Sequence, residues 1–216
     1  AFRAEQKARE LRTVERHIRG RSESLARQFD RVLRILEAWG YVDGWALTPG
    51  GERLAALYHE SDLLVAEALR SGVFDGLSPA EVAALASGFT YESRGPGVSP
   101  PPVFPRGPLR SRWIDLEYIA RELNLAEEEA GLPLTRMPDP GFVELAFGWA
   151  SGTDLGHLIE DDDMTGGDFV RNVKQLIDLL RQMGDAADER AVGEAAHDAA
   201  GLLFRGVVAS SSLVSA

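Results

Sequence analysis

The sequence predicts an all-α protein, a helical bundle with one long central helix. Two observations predict it. Apolar residues recur at steps of three and four in segment after segment, the spacing that lays a stripe along one side of a helix. In the longest such segment, Thr165 to Met183, that stripe is Phe169, Val170, Val173, Leu176, Ile177, Leu180 and Met183. The segments are punctuated by Gly and Pro, most heavily in RGPGVSPPPVFPRGP over 94–108, which permits neither a helix nor a ladder and reads as a surface loop.

Taken in order, residues 1–20 form a charged helix with few apolar positions, the end of an upstream domain or arm, and 21–216 form the helical domain itself. Ser22 to Trp39 places Leu25, Phe29, Val32, Leu36 and Trp39 along one face, with Gly40 where a left-handed cap is easy. YVDGWALT then alternates around Asp43-Gly44, a dipeptide that relieves the positive backbone angles of a tight turn, so two very short strands are expected near 41–48. Thr48 and Pro49 open a helix whose inner side is Leu54, Leu57 and Tyr58. SDLLVAEAL is a short apolar helix. The chain then turns at Gly76, and Ser78 with Glu81 has the spacing of a capping box for the next helix.

Beyond the Pro-rich loop, Leu109, Trp113, Leu116, Ala120 and Leu123 repeat as a heptad-like stripe. Asp139 and Pro140 start a helix with Phe142, Leu145 and Trp149 inward, which Gly152 and Thr153 break before a short helix over Leu155 to Ile159. Thr165 with Asp168 gives the long helix its start signal. Its polar side carries Arg171, Lys174, Gln175, Asp178, Arg181 and Gln182, of which Arg171, Gln175, Asp178 and Gln182 stack into one ridge. After Gly184 an Ala-rich helix runs from about Asp188 to Arg205, its small side chains permitting close approach to a partner helix. The tail VVASSSLVSA follows.

Composition bounds the function. With 216 residues, 44% hydrophobic and 26% charged, the chain is globular and large enough to bury a substantial core. The absence of cysteine excludes disulfides and thiolate metal sites, and makes the cytoplasm the expected location. No apolar run approaches the roughly 20 residues that span a bilayer. The N-terminus AFRAEQKARELR is too charged for a signal peptide and lacks an initiator Met, as in a fragment of a larger protein. A net charge of −11 argues against coating nucleic acid non-specifically, although residues 1–34 hold 10 Lys plus Arg against 5 Asp plus Glu.

Catalytic signatures are absent. There is no G-x-x-x-x-G-K-[ST], so the chain has no phosphate-cradling loop of its own. His17, His59, His157 and His197 lie far apart, without H-E-x-x-H spacing. Asp161, Asp163, Thr165 and Gly166 begin like a calcium loop, but Asn172 stands where a bidentate Glu is required. Asp161 to Asp163 instead suit the positive end of the long helix. From the residues alone, the expectation is an all-helical binding or scaffolding module without metal, cofactor or catalytic residue.

Two stretches carry a more specific likeness. GERLAALYHESDLLVAEALRSGVFDGLSPAEVAALASGFTYES, from Gly51 to Ser93, resembles the opening of the C-terminal helical domain of superkiller-like RNA helicases, and Gly167 to Arg171 with Leu176 to Met183 resembles a helix that follows far downstream in that family. The branch it is nearest is the actinobacterial HelY type, whose domain is known as DSHCT. The resemblance implies a superfamily 2 ATP-dependent RNA helicase whose two RecA-like motor domains lie upstream in the same polypeptide and hold ATP and Mg²⁺. This domain would close the ring through which single-stranded RNA is drawn. The long helix would be the family's ratchet helix, with Arg171, Lys174 and Gln175 facing RNA and Glu92 on a position that contacts a base. Two features depart from the family: Arg often stands where this chain has Gln175, and the loop 94–108 has no counterpart.

Two rival classes stay open. Helix, hairpin and LTPGGERL also resemble part of a winged helix, as in DNA-binding transcription regulators of the MarR type, which use a basic recognition helix and usually a twofold dimer. A protein-interaction scaffold would bind no nucleic acid. The helicase reading expects a monomer, with no membrane partner.

Overall fold

The computed structural model describes residues 25–93, 103–105, 107–159 and 164–213. Helix α1 covers 25–38, and Gly40 follows it at φ +79, the left-handed position expected there. Strands β1 (Val42–Asp43) and β2 (Ala46–Leu47) pair antiparallel with Val42 opposite Leu47 and Asp43 opposite Ala46. The turn is Gly44-Trp45, and its positive φ falls on Gly44 alone, at +60. Asp43, expected in the turn, pairs in the ladder.

Helix α2 (Pro49–Leu54) begins as its sequence dictates: Thr48 accepts a hydrogen bond from the Gly51 N–H at 3.1 Å, and Pro49 fills the first turn. Helix α3 (Asp62–Arg70) leads through Gly76 at φ +72 to α4 (Pro79–Thr90). There the Ser78 N–H donates to Glu81 Oε2 at 2.8 Å, the back half of the capping box. Helix α5 (Leu109–Ala130) buries all five residues of its predicted stripe and ends at Gly131, φ +64. A 3₁₀ turn (Pro140–Phe142) opens α6 (Val143–Ala150), and α7 (Leu155–Leu158) is a single turn. Then come α8 (Gly166–Ala186), α9 (Arg190–Leu203) and α10 (Gly206–Leu213).

The architecture is all-α apart from the small hairpin. Helix α4 is enclosed on every side: its residues from Val82 to Phe89 are all buried, among α5, α6, α8 and α9. Its small residues make that possible, since a Cβ on Gly88 would lie 2.6 Å from the Trp113 ring of α5. Helix α8 packs against both α4 and α9, which also touch each other. The approach of α8 to α9 is equally close, because a Cβ on Gly193 would stand 2.9 Å from the Gly184 carbonyl oxygen. Gly184 therefore sits inside α8 as a contact surface, and the helix continues past it to Ala186.

Several sequence expectations shift. In α1 the stripe is only partly buried: Ile35 is enclosed and Leu36 and Trp39 are half-buried, but Leu25, Phe29 and Val32 are exposed, with Phe29 stacked on Trp45 at 6.4 Å. Tyr58, expected inward, is 83% exposed, because α2 ends at Leu54 and the helical register does not extend to it. In α8 Leu179 joins the buried set, since contacts with both α4 and α9 widen the buried arc beyond the stripe. The described part of the tail forms α10, with Val208 fully buried. Residues 1–20, most of the loop 94–108 and Asp161 to Asp163 lie outside the described residues.

Candidate nucleic-acid interface

The polar side of α8 is set by its first turn. Thr165 Oγ1 accepts from the Asp168 N–H at 3.1 Å and donates to Asp168 Oδ2 at 2.8 Å, which fixes Asp168 at the helix start. Asp168 then receives Arg171 one turn on, so the guanidinium is paired yet keeps 49% of its side chain exposed. At about 100° per residue, Asp168, Arg171, Asn172 and Gln175 share one arc of roughly a quarter turn. That arc forms one wall of a cleft of about 400 Å³.

The opposite wall is the end of α4: Thr90, Tyr91 and the exposed Glu92. Arg171, Gln175 and Glu92, three residues that the sequence singles out, thus line one concavity. The fourth, Lys174, does not. It falls about 60° to the other side of Arg171, away from the cleft, and is half-buried.

Two devices hold the walls in register. Tyr91 stacks on Phe142 at 5.4 Å, Phe142 meets Phe169 of α8 at 5.7 Å, and Phe169 meets the edge of Trp149 at 5.3 Å. This aromatic series ties the end of α4 to the start of α8. A strap over 136–139 supplies the second. Arg136 donates from Nη1 to the Tyr91 carbonyl and from Nη2 to the Phe89 carbonyl, both at 2.6 Å. These are carbonyls at the negative end of α4, where a cation is favoured. Asp139 accepts from the Ser93 N–H at 2.7 Å, and its own N–H donates to the Gly88 carbonyl at 2.9 Å. Farther along the ridge, Gln182 Oε1 accepts from the Tyr58 N–H at 2.6 Å, so this residue is structural.

Sequence reasoning missed Arg136 and Glu60, both of which line the cleft. Arg136 sits in LPLTRMPDP without periodicity, and its partners lie 45 and 47 residues away, so nothing local marks it. Glu60 approaches Arg136 Nε at 3.5 Å. Beside it His59 is held below its ordinary pKa, chiefly by burial, with the Arg136 charge adding to that and the neighbouring carboxylates opposing it.

A second cavity, about 420 Å³, opens between α2, α3 and the α8–α9 junction. Its cations are paired, Arg53 with Asp188 at 3.3 Å and Arg70 with Glu67 at 2.7 Å. Glu67 also accepts from the Tyr41 hydroxyl at 2.6 Å, and burial and this bond raise the Tyr41 pKa well above its usual value. No predicted site residue lines it.

Among the described residues there is no group of His, Asp and Glu that could hold a metal ion, and no helix is long and apolar enough to cross a membrane.

Comparison with known proteins gives the same assignment as the motifs. Over 210 residues the chain is 37% identical to a probable helicase HelY of Mycobacterium tuberculosis, covering 91% of this chain and 23% of that protein. It is 29% identical over 194 residues to Superkiller complex protein 2 of Mus musculus, covering 86% of this chain and 15% of the relative. The Exosome RNA helicase MTR4 of Mus musculus is 26% identical over 166 residues, covering 74% and 15% respectively. The chain therefore spans a quarter or less of the length of these relatives. The family model for the DSHCT (NUC185) domain matches residues 44–211, a span that runs from the turn glycine of the hairpin through both walls of the cleft to α10. The chain belongs to the DSHCT domain family.

Proposed function

We propose that this chain is the C-terminal helical domain of an ATP-dependent RNA helicase and that it guides single-stranded RNA along α8. One observation carries the reading: in a DSHCT domain, Arg171 and Gln175 of the long helix face Glu92 across a single cleft. Two of the three relatives compared above are named as helicases, one of them as an RNA helicase, and the third is named for the superkiller complex. In this reading ATP and Mg²⁺ belong to RecA-like motor domains upstream in the same polypeptide, which is supported by the chain covering only 23% of the HelY relative. The domain works as a monomer, in the cytoplasm, with those motor domains and the RNA as its partners.

The chemistry available is positioning. Side chains on a rigid helix present hydrogen-bonding groups to unstacked bases, which is how single-stranded RNA is generally recognised. Arg171 offers a half-exposed guanidinium in the cleft and Lys174 a half-buried cation outside it, so phosphate neutralisation contributes little. With one or two phosphates engaged, the slope of log affinity against log salt is about −0.7 to −1.4. The 216-residue chain is expected to bind single-stranded RNA weakly with that slope, as read by fluorescence anisotropy. Arg171→Ala is expected to flatten the slope by about 0.7, while Arg190→Ala, on the exposed side of α9, leaves it unchanged. Absence of binding at low salt, or tighter binding to duplex DNA than to single-stranded RNA, contradicts the reading, the latter in favour of the winged-helix regulator.

A further inference from the structure

Helix α5 carries two apolar stripes, and only one of them is covered. Leu109, Trp113, Leu116, Ala120 and Leu123 are buried against the core. Ile114, Tyr118 and Leu125 lie on the far side of the helix, within an arc of about 40°, and are 59, 63 and 53% exposed. Single exposed apolar side chains are ordinary on a protein surface, but a row of large ones along one helix marks a contact face.

The charge beside that row is one-sided. Along one edge Asp115, Glu122 and Glu129 recur every seven residues, all exposed and without a hydrogen-bond or ion-pair partner among the described residues. The other edge is balanced, with Arg121 paired to Glu117 at 2.9 Å and Arg110 offset in charge by Glu128. On the acidic edge the row borders a groove of about 320 Å³ between α5 and the end of α1, lined by Trp39, Tyr118, Ile119 and Glu122. Glu67 and Arg70 also line it and satisfy each other at 2.7 Å. A Lys or Arg side chain suits this groove: its methylenes lie on Trp39, Tyr118 and Ile119, and its charged end reaches Glu122.

We propose that the outward face of α5 is a docking surface for another protein, and that the occupant is an amphipathic helix with Lys or Arg along one edge of its apolar stripe. Charge complementarity selects this occupant. A second copy of the chain fits poorly, because in an antiparallel twofold pair of α5 helices the row of carboxylates on one copy faces the same row on the other. Nucleic acid is excluded by the same carboxylates, which repel phosphate. No residue of α5 lines the cleft between α4 and α8, so a partner docked here leaves that cleft open. The proposal is independent of the RNA-guiding reading.

The test uses two synthetic three-heptad helical peptides with the same leucine stripe, one edged with Lys and the other with Glu, and reads their affinity for the 216-residue chain by anisotropy. The Lys peptide is expected to bind about tenfold more tightly, the combined effect of three exposed ion pairs. Because the chain is acidic overall, with net charge −11, the deciding comparison is between two triple variants of equal charge. Asp115→Lys with Glu122→Lys and Glu129→Lys is expected to invert the order of the two peptides. Asp43→Lys with Glu52→Lys and Asp198→Lys, exposed positions on other elements, is expected to keep it. Tyr118→Asp is expected to weaken both peptides at least tenfold, with thermal unfolding of each variant showing that the fold is intact. An order that the α5 triple variant leaves unchanged, affinities that Tyr118→Asp does not move, or failure of both peptides to bind overturns the proposal. So does a wild-type dimer in sedimentation that Tyr118→Asp dissociates, since the face then belongs to a second copy.

Discussion

Leu176→Ala is expected to destabilise the chain by about 2–5 kcal/mol. Leu176 has no solvent exposure, in a helix that packs against both α4 and α9. Truncation removes its transfer free energy and leaves a cavity that two packed helices do not collapse to fill. Most domains have only about 5–15 kcal/mol in total, so the loss shows as a large drop in the denaturant midpoint. Arg171→Ala, on the opposite side of the same helix, removes only an ion pair to Asp168 whose side chains are half and one-third exposed. That contact contributes about 0–1 kcal/mol. The pair of variants thus separates what α8 does for the fold from what it offers to RNA. A loss for Leu176→Ala no larger than that for Arg171→Ala contradicts the packing described.

Gly51→Ala is expected to cost about 3 kcal/mol or more, although alanine is the better helix former. The reason is a backbone contact: a Cβ at position 51 would lie 2.0 Å from the Tyr41 carbonyl oxygen and 3.2 Å from Leu47. That carbonyl also accepts from the Thr48 N–H and from Thr48 Oγ1, both at 3.1 Å. Relief requires the hairpin to move off α2, which disturbs the cap and pulls on the buried Tyr41–Glu67 bond. Gly50→Ala is the control. Its Cβ would meet nothing nearer than 3.5 Å, so it is expected to be neutral or stabilising by up to about 1 kcal/mol. Thermal unfolding of the two variants reads the difference, and equal effects contradict the close approach of β1 and α2.

The elements the sequence made legible are those whose causes are local. Thr48, Ser78, Asp139 and Thr165 each begin a helix or turn through a side chain acting within three residues, and each is found where it was expected. The stripes of α5 and α8 are legible because a helix with one buried side repeats it at a fixed period. Misreadings arise where a neighbour from elsewhere in the chain decides the outcome. Leu179 is buried because α4 and α9 both reach α8, and Leu25, Phe29 and Val32 are exposed because no described helix covers that side of α1. Gly184 follows the last residue of the predicted stripe, Met183, and lies inside α8 as a contact point for α9.

The cleft divides in the same way. Arg171 and Gln175 follow from helical spacing, and their approach to Glu92 follows from family likeness. The exclusion of Lys174 needed the true angle between wall and helix axis, which the polar ridge alone does not supply. Arg136 and Glu60 reach the cleft through connections that have no period, so only the folded chain brings them to it.

The most direct test of single-stranded RNA in this cleft is ultraviolet cross-linking of a mixed-sequence 12-nucleotide RNA to the 216-residue chain, with the adducts located by peptide mass spectrometry. Adducts are expected on Tyr91 and on the segment from Met164 to Gln175, which line the cleft, and Glu92→Gln should alter their yield. Trp45 is 87% exposed at the tip of the hairpin and is open to any RNA that binds there. Adducts concentrated on Trp45, with none on either wall of the cleft, contradict the account.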